Sequence, residues 1–362
     1  MKKHFRFLRI FAVTAILIAG LVSGCSTLPD EVPPLTYTGP KQNVVLMIGD
    51  GMGFNHIKAA EAFHGKLFLT TAAADAEGEV TTYSLTPLRP TDSAAAATAL
   101  ATGSKTKNGQ VGQYRGEAFQ SATELAVSLQ MATGIIVTEG VEGATPAGFS
   151  AHTSGRDNAD EILADQLKSG INLFIGSNIE RYRPLKNEIE KSYFFADSLA
   201  SLDWSRDKIF ASFEEIPLEK KGETKPTLAE LCSAALDKLS ENPNGFFLMI
   251  EESHIDKRSH ENDIRGAVDH VKAYDNAVRT VTEKAAEIGN TIVIVTADHE
   301  TGGLQYNGET KAQLSDKMYT KTSHSSANVP FFIYGETGTK IPAVIDNTQI
   351  GNLVKSILSA KK

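Results

Sequence analysis

The chain has 362 residues, 41% hydrophobic and 22% charged, a globular composition that excludes a disordered polypeptide. Lys and Arg number 36 against 44 Asp and Glu, giving a formal net charge of -8. That acidity excludes a nucleic-acid partner, because phosphate-backbone binding needs a basic surface.

At the N-terminus, Lys2, Lys3, Arg6 and Arg9 precede an apolar run over 10–22, and the small residues Ser23 and Gly24 lead into Cys25. This is an export signature, too short and one-sided for a spanning helix. The segment 21–26 also resembles a bacterial lipobox. Residues 1–24 are therefore expected to be a signal peptide, with Cys25 lipidated and the protein held on the outer side of a bacterial membrane. A soluble secretory signal with an incidental cysteine is the alternative. The other cysteine, Cys232, lies in a run with helical apolar spacing and reads as a buried thiol.

Four prolines (Pro29, Pro33, Pro34 and Pro40) mark 25–42, which begins at the lipidated Cys25, as an extended tether, so the folded domain is expected over 43–362. Strands are predicted at 44–48, 134–138, 173–175, 246–250, 291–296 and 330–334. They alternate with helical patterns, the clearest over 263–288. The expected fold is α/β, a three-layer sandwich whose central, mostly parallel sheet is covered by helices on both faces. The stretch 181–225 is charged and aperiodic and reads as an insertion near the site or as plain surface.

In an open α/β sheet, ligands bind beyond the carboxyl ends of the strands. Three such ends carry acids: Asp50 after 44–49, Glu251 after 246–250, and Asp298 with His299 after 291–297. One acid there usually caps a helix or shapes a turn; three point to a shared cation. Gly49-Asp-Gly-Met-Gly53 is not a dinucleotide fingerprint, since Phe54 stands where the third glycine is needed and Asp50 would face a pyrophosphate. Asp256 and His260 share one face of a helical turn, and His324 adds an imidazole. Carboxylate plus imidazole suits zinc. Ser93 opens an alanine-rich helix, where free amides and the dipole favour an anion; it reads as a hydroxyl at an anion site or as a cap. A Gly-x-Ser-x-Gly elbow and a Walker A sequence are both absent.

Taken together, the segments from 43 to 335 resemble the alkaline phosphatase family. The strings, in the family's order, are Ile48-Gly-Asp-Gly-Met-Gly53, Asp92-Ser-Ala-Ala-Ala-Ala97, Thr102-Gly-Ser-Lys-Thr-Lys-Asn-Gly109, Ala144-Thr-Pro-Ala147, Ile255-Asp-Lys257 with His260, Thr296-Ala-Asp-His-Glu-Thr-Gly-Gly303, and His324 before Asn328-Val-Pro-Phe331. The resemblance implies two Zn2+ and one Mg2+ per chain. One zinc would be held by Asp256, His260 and His324, the other by Asp50, Asp298 and His299, and the magnesium by Asp50, Thr145 and Glu251. It also implies Ser93 as nucleophile and Arg156 as a phosphate-binding guanidinium. As alternatives, Thr145 reads as a turn residue and Arg156 as a surface charge.

Gly143 stands where relatives often carry an Asp or His beside the third ion; Glu142 next to it is a candidate to support that ion, or else points away. Lys257 is a candidate for contact with phosphate through water, while Glu252 and His254 read as supporting or surface groups. The activity implied is hydrolysis of small phosphate monoesters through a phosphoserine, and a homodimer is compatible with it. The rivals are a phosphodiesterase or sulfatase on the same scaffold, and a non-catalytic phosphate- or metal-binding lipoprotein.

Overall fold

A computed structural model describes residues 32–219 and 225–361. The export segment and Cys25 lie outside the described residues. The strands, in chain order, are β1 (Asn43–Gly49), β2 (Ala76–Thr81), β3 (Gln113–Tyr114), β4 (Glu117–Ala118), β5 (Ala132–Val137), β6 (Leu173–Gly176), β7 (Phe194–Ala196), β8 (Ile209–Ser212), β9 (Phe246–Glu252), β10 (Thr291–Thr296), β11 (Glu300–Thr301), β12 (His324–Ser325), β13 (Val329–Tyr334) and β14 (Val344–Asp346).

Ten of them form one sheet in the order β14-β2-β13-β10-β1-β9-β5-β6-β8-β7, while β3 pairs with β4 and β11 with β12. Within that sheet only β13 runs antiparallel to its neighbours. β1, β5 and β9 are buried along their whole length, as continuous apolar runs must be when both sheet faces are covered.

The helices fall into two sets that pack among themselves. Phe54–His64, Leu228–Ser240, His254–His260 and Ile264–Ile288 form one; Ser93–Thr102, Ala122–Ser128, Ala144–Ser150 and Asn347–Leu358 form the other. With the sheet between them, this is the expected α/β sandwich. The long helix buries Ile264, Val268, Val271, Tyr274, Val278, Val281 and Ala285, a helical-period stripe in which each valine contributes about 2 kcal/mol of burial. Asp263 caps it by accepting the Gly266 N–H at 2.8 Å.

Two expectations are corrected. The stretch 181–225 is more than surface: it supplies β7, an edge strand of the main sheet, and β8 beside it. Their apolar cores, Phe194-Phe-Ala196 and Ile209-Phe-Ala211, are too short for periodicity to reveal. The packed chain also begins before Asn43. The buried Tyr37 donates its N–H to Ser356 Oγ (2.9 Å) and its hydroxyl to the Pro40 carbonyl (2.7 Å), and the Lys41 N–H donates to the Lys361 carbonyl (3.0 Å). The extended, proline-bearing strap thus lies along the C-terminal helix.

Candidate active site

The register of four adjacent parallel strands gathers the acids. Ile48 stands opposite both Glu251 and Thr296, and Val137 opposite Glu251. Asp50, Glu251, Asp298 and Glu139 therefore emerge together at the carboxyl ends of β1, β9, β10 and β5. The turn after β1 requires glycine: Gly51 has φ +76°, and a Cβ there would lie 2.7 Å from the Asp256 Cα.

Ser93 is the first residue of the helix Ser93–Thr102. Asp92 caps that helix, accepting the Ala95 N–H at 3.0 Å, and its other oxygen takes the Gly109 N–H at 2.8 Å and Arg156 Nη1 at 3.2 Å. The helix is alanine-rich because neighbours crowd it. A Cβ at Gly148 would lie 2.8 Å from the Ala97 Cβ, and one at Gly351 2.6 Å from the Ala99 carbonyl. The capping role read as Ser93's alternative thus belongs to Asp92. The Ser93 hydroxyl is left 3.2 Å from His299 Nε2.

Three imidazoles and three carboxylates converge here. His324 Nδ1 is 2.8 Å from the Thr91 carbonyl and His260 Nδ1 2.6 Å from the Thr322 carbonyl. Each carbonyl accepts a ring N–H, which leaves both Nε2 lone pairs facing one another at 3.1 Å. Asp256 lies 3.3 Å from the first of these nitrogens, on His260, and 3.5 Å from that of His324. Such a set needs a cation at its centre, and Asp256, His260 and His324 converge within 4.8 Å.

Asp50, Asp256 and His299 form a second converging group. Asp298 lies beside it, with Oδ2 3.2 Å from His299 Nε2 and Oδ1 accepting the N–H groups of Gly51 (3.1 Å) and His299 (2.9 Å). The Thr301 hydroxyl bridges the two groups, donating to Asp256 and lying 3.2 Å from His299 Nδ1. The string 296–303 contains Thr301, but nothing in the sequence distinguishes it from its neighbours.

Asp50 Oδ1, Asp298 Oδ2, both Glu251 carboxylate oxygens and the Thr145 hydroxyl are buried without a hydrogen-bond partner. Unpaired charges in such surroundings cost several kcal/mol, and the protein's own electrostatics register it. Burial, then the charges of Asp298 and Asp256, holds the Asp50 carboxyl well above its ordinary range. Glu251 is raised by burial, then by Glu139, and Asp298 is pushed up to about 7, chiefly by burial. The residues therefore fit divalent cations: the histidine-bearing groups suit zinc, and the all-oxygen set around Glu251 and Thr145 suits a harder ion.

The remaining candidates sort cleanly. Arg156 feels the charges of Asp92, Asp50 and Asp298, which places it beside the cluster. Lys257 pairs with Glu139. Glu142, read as supporting the third ion or pointing away from it, turns to Arg181 Nε (3.0 Å) and the Tyr182 hydroxyl; Gly140 leaves the room, since a Cβ there would lie 2.6 Å from Glu142 Oε2. Glu252 is a buried hub rather than a surface group, accepting from Thr138 Oγ1 (3.1 Å), the His254 N–H (3.0 Å) and His270 Nδ1 (3.0 Å). Cys232 is buried, with its thiol pushed far up, so it offers no reactive thiolate.

The chain and its fold both have known relatives. The alkaline phosphatase family model matches residues 41–182 and 194–321. Alkaline phosphatase 4 of Bacillus subtilis (strain 168) is 33% identical over 325 residues, 82% of this chain and 70% of that protein. The alkaline phosphatase of the Antarctic bacterium TAB5 superposes with a TM-score of 0.76 at 28% identity, covering 91% of this chain and 100% of that one. A mutant of the TAB5 enzyme with Mg bound in its M3 site superposes equally well, with a TM-score of 0.76.

Proposed function

The chain belongs to the alkaline phosphatase family and is a phosphatase that hydrolyses phosphoesters, and on that premise we propose that it cleaves phosphate monoesters through a phosphoserine on Ser93. The observation that carries this reading is the Ser93 hydroxyl, uncommitted to capping and 3.2 Å from His299 Nε2, at a helix N-terminus that faces buried, unpaired oxygens.

Asp256, His260 and His324 would hold one zinc, Asp50, Asp298 and His299 the second, and Asp50, Thr145 and Glu251 a magnesium. Bound there, the ions supply Lewis acidity that favours the serine alkoxide and the leaving alkoxide. Ser93 Oγ attacks phosphorus in line with the ester oxygen. The bond to the alcohol breaks, and phosphate remains on the serine. Water then attacks the phosphoserine, inorganic phosphate leaves, and Ser93 recovers its proton. Asp92 holds one nitrogen of Arg156 at 3.2 Å, which restricts the guanidinium and leaves its other N–H groups for two phosphate oxygens. Three divalent ions against four carboxylates leave a positive site, matched to a phosphomonoester dianion.

Acid-quenched enzyme turning over p-nitrophenyl phosphate should carry one phosphate on Ser93 by mass spectrometry. Ser93→Ala should lose that label and lower kcat by at least about a thousandfold while retaining zinc. Undiminished turnover in that variant would remove Ser93 from the mechanism.

The proposal extends to location: Cys25 carries a lipid that holds the enzyme on the outer side of a membrane. Palmitate labelling of cells should give a labelled protein that Cys25→Ser abolishes. Equal labelling in the variant would refute the anchor.

A further inference from the structure

Gly143, the residue before the helix Ala144–Ser150, has no side chain to offer the all-oxygen pocket, and the structure fills that space from elsewhere. A Cβ built on Gly143 would lie 2.4 Å from Glu139 Oε1 and 3.1 Å from its Cδ. The Glu139 carboxylate thus occupies the volume that a side chain at 143 would take. Its backbone is pinned there: the Glu139 carbonyl accepts the Ser177 N–H at 2.7 Å, and the preceding Thr138 N–H donates to the Glu251 carbonyl at 3.2 Å.

Two neighbours show where the carboxylate sits. Its Oε2 is paired with Lys257. Two residues before Glu139, Val137 stands opposite Glu251 in the sheet, and Thr145 follows Gly143 by two residues. Glu139 therefore stands with Asp50, Glu251 and Thr145, whose buried oxygens lack partners. It was no candidate from the sequence, where Glu142 lay closer to Gly143 in register.

We propose that Glu139 is a positioning residue of the magnesium site, holding the ion's water shell from the space that Gly143 leaves empty. This rests on the three-ion reading above. Magnesium binds through one or two carboxylates and keeps several waters. With Asp50 and Glu251 as the direct acids, a third carboxylate fits as an acceptor for those waters. The one oxygen engaged by Lys257 leaves Oε1 for that role. The two residues form a matched pair: glycine at 143 is needed because glutamate is at 139. Outer-sphere partners of this kind are worth about 10- to 100-fold in metal affinity.

The test titrates Mg2+ into zinc-loaded full-length protein by calorimetry, with bound zinc and magnesium counted by mass spectrometry. Glu139→Gln should weaken magnesium by about 10- to 100-fold and leave the zinc count unchanged. Gly143→Ala should do the same, since its φ of -53° tolerates alanine and the new Cβ meets chiefly the tip of the flexible Glu139 side chain, with the Gly140 carbonyl 3.2 Å away. Glu139→Ala combined with Gly143→Asp should recover most of the affinity, with a carboxylate returned to the same space from the other residue. Lys257→Met should not weaken magnesium.

Wild-type magnesium affinity in Glu139→Gln would overturn the proposal. So would an equal loss in Lys257→Met, which would mean that Glu139 acts only through the lysine. The readout is metal affinity, so failure of monoester turnover in the wild type would refute the reaction proposed above without touching this result.

Discussion

Asp298→Asn should make the metal-free protein more stable. Asp298 is fully buried, and its carboxyl is pushed from an ordinary 3.8 to about 7. A carboxyl with a raised folded value costs nothing below the unfolded value, where both states hold the proton. The stability it withholds grows as the pH rises and is complete above about 7. That span corresponds to about 4 kcal/mol at pH 8.

The amide avoids this cost while keeping the local contacts. Its oxygen can still accept from the Gly51 and His299 N–H groups, and its NH2 group replaces the unpaired Oδ2, 3.2 Å from His299 Nε2, to which it can donate. Allowing for imperfect fit, the expected gain is on the order of 2 to 4 kcal/mol. Urea denaturation of chelator-treated wild type and variant at pH 8 and at pH 4.5 measures it. The gain should shrink towards zero at the lower pH. With zinc present the order should reverse, because the variant has lost a ligand. A metal-free variant no more stable than wild type at pH 8, or a gain independent of pH, would refute the argument that these carboxylates are assembled for cations.

Other substitutions probe the site and the strap separately. Arg156→Ala should raise KM for a monoester at least tenfold with zinc content unchanged, since it removes only N–H donors to the phosphate; an unchanged KM in steady-state kinetics would release Arg156 from that role. Thr301→Val deletes the hydroxyl bridging Asp256 and His299 and should weaken zinc by about 10- to 100-fold, read by competition with a chromophoric chelator; wild-type retention would make the bridge incidental. Tyr37→Ala should cost about 3 kcal/mol in urea denaturation with kcat unaffected, because it empties a packed aromatic site remote from the chemistry. A loss within error of zero would return the strap to a mere tether.

The parts of this molecule that were legible in its sequence are those where one short segment contains the whole physical reason. The run Val44–Ile48 is continuous and apolar because it is covered on both faces; the stripe from Ile264 to Ala285 has one buried side. Asp50 and Asp298 follow such runs directly, so strand-end reasoning reached them. β7 and β8 were missed because three or four residues leave no period to read, and Tyr37 because proline composition reports an extended backbone but not what that backbone lies against. Glu139 and Glu142 show the limit most sharply. Both lie in one loop next to the same glycine, and sequence proximity favoured Glu142. The loop's path sends Glu142 to Arg181 and brings Glu139 back over Gly143 to Lys257. Which carboxylate reaches the metal site depends on a missing Cβ and on the partner cation of each acid. Both belong to the folded neighbourhood, so a glycine at 143 reads as a lost side chain in the sequence and as room for the Glu139 carboxylate in the structure.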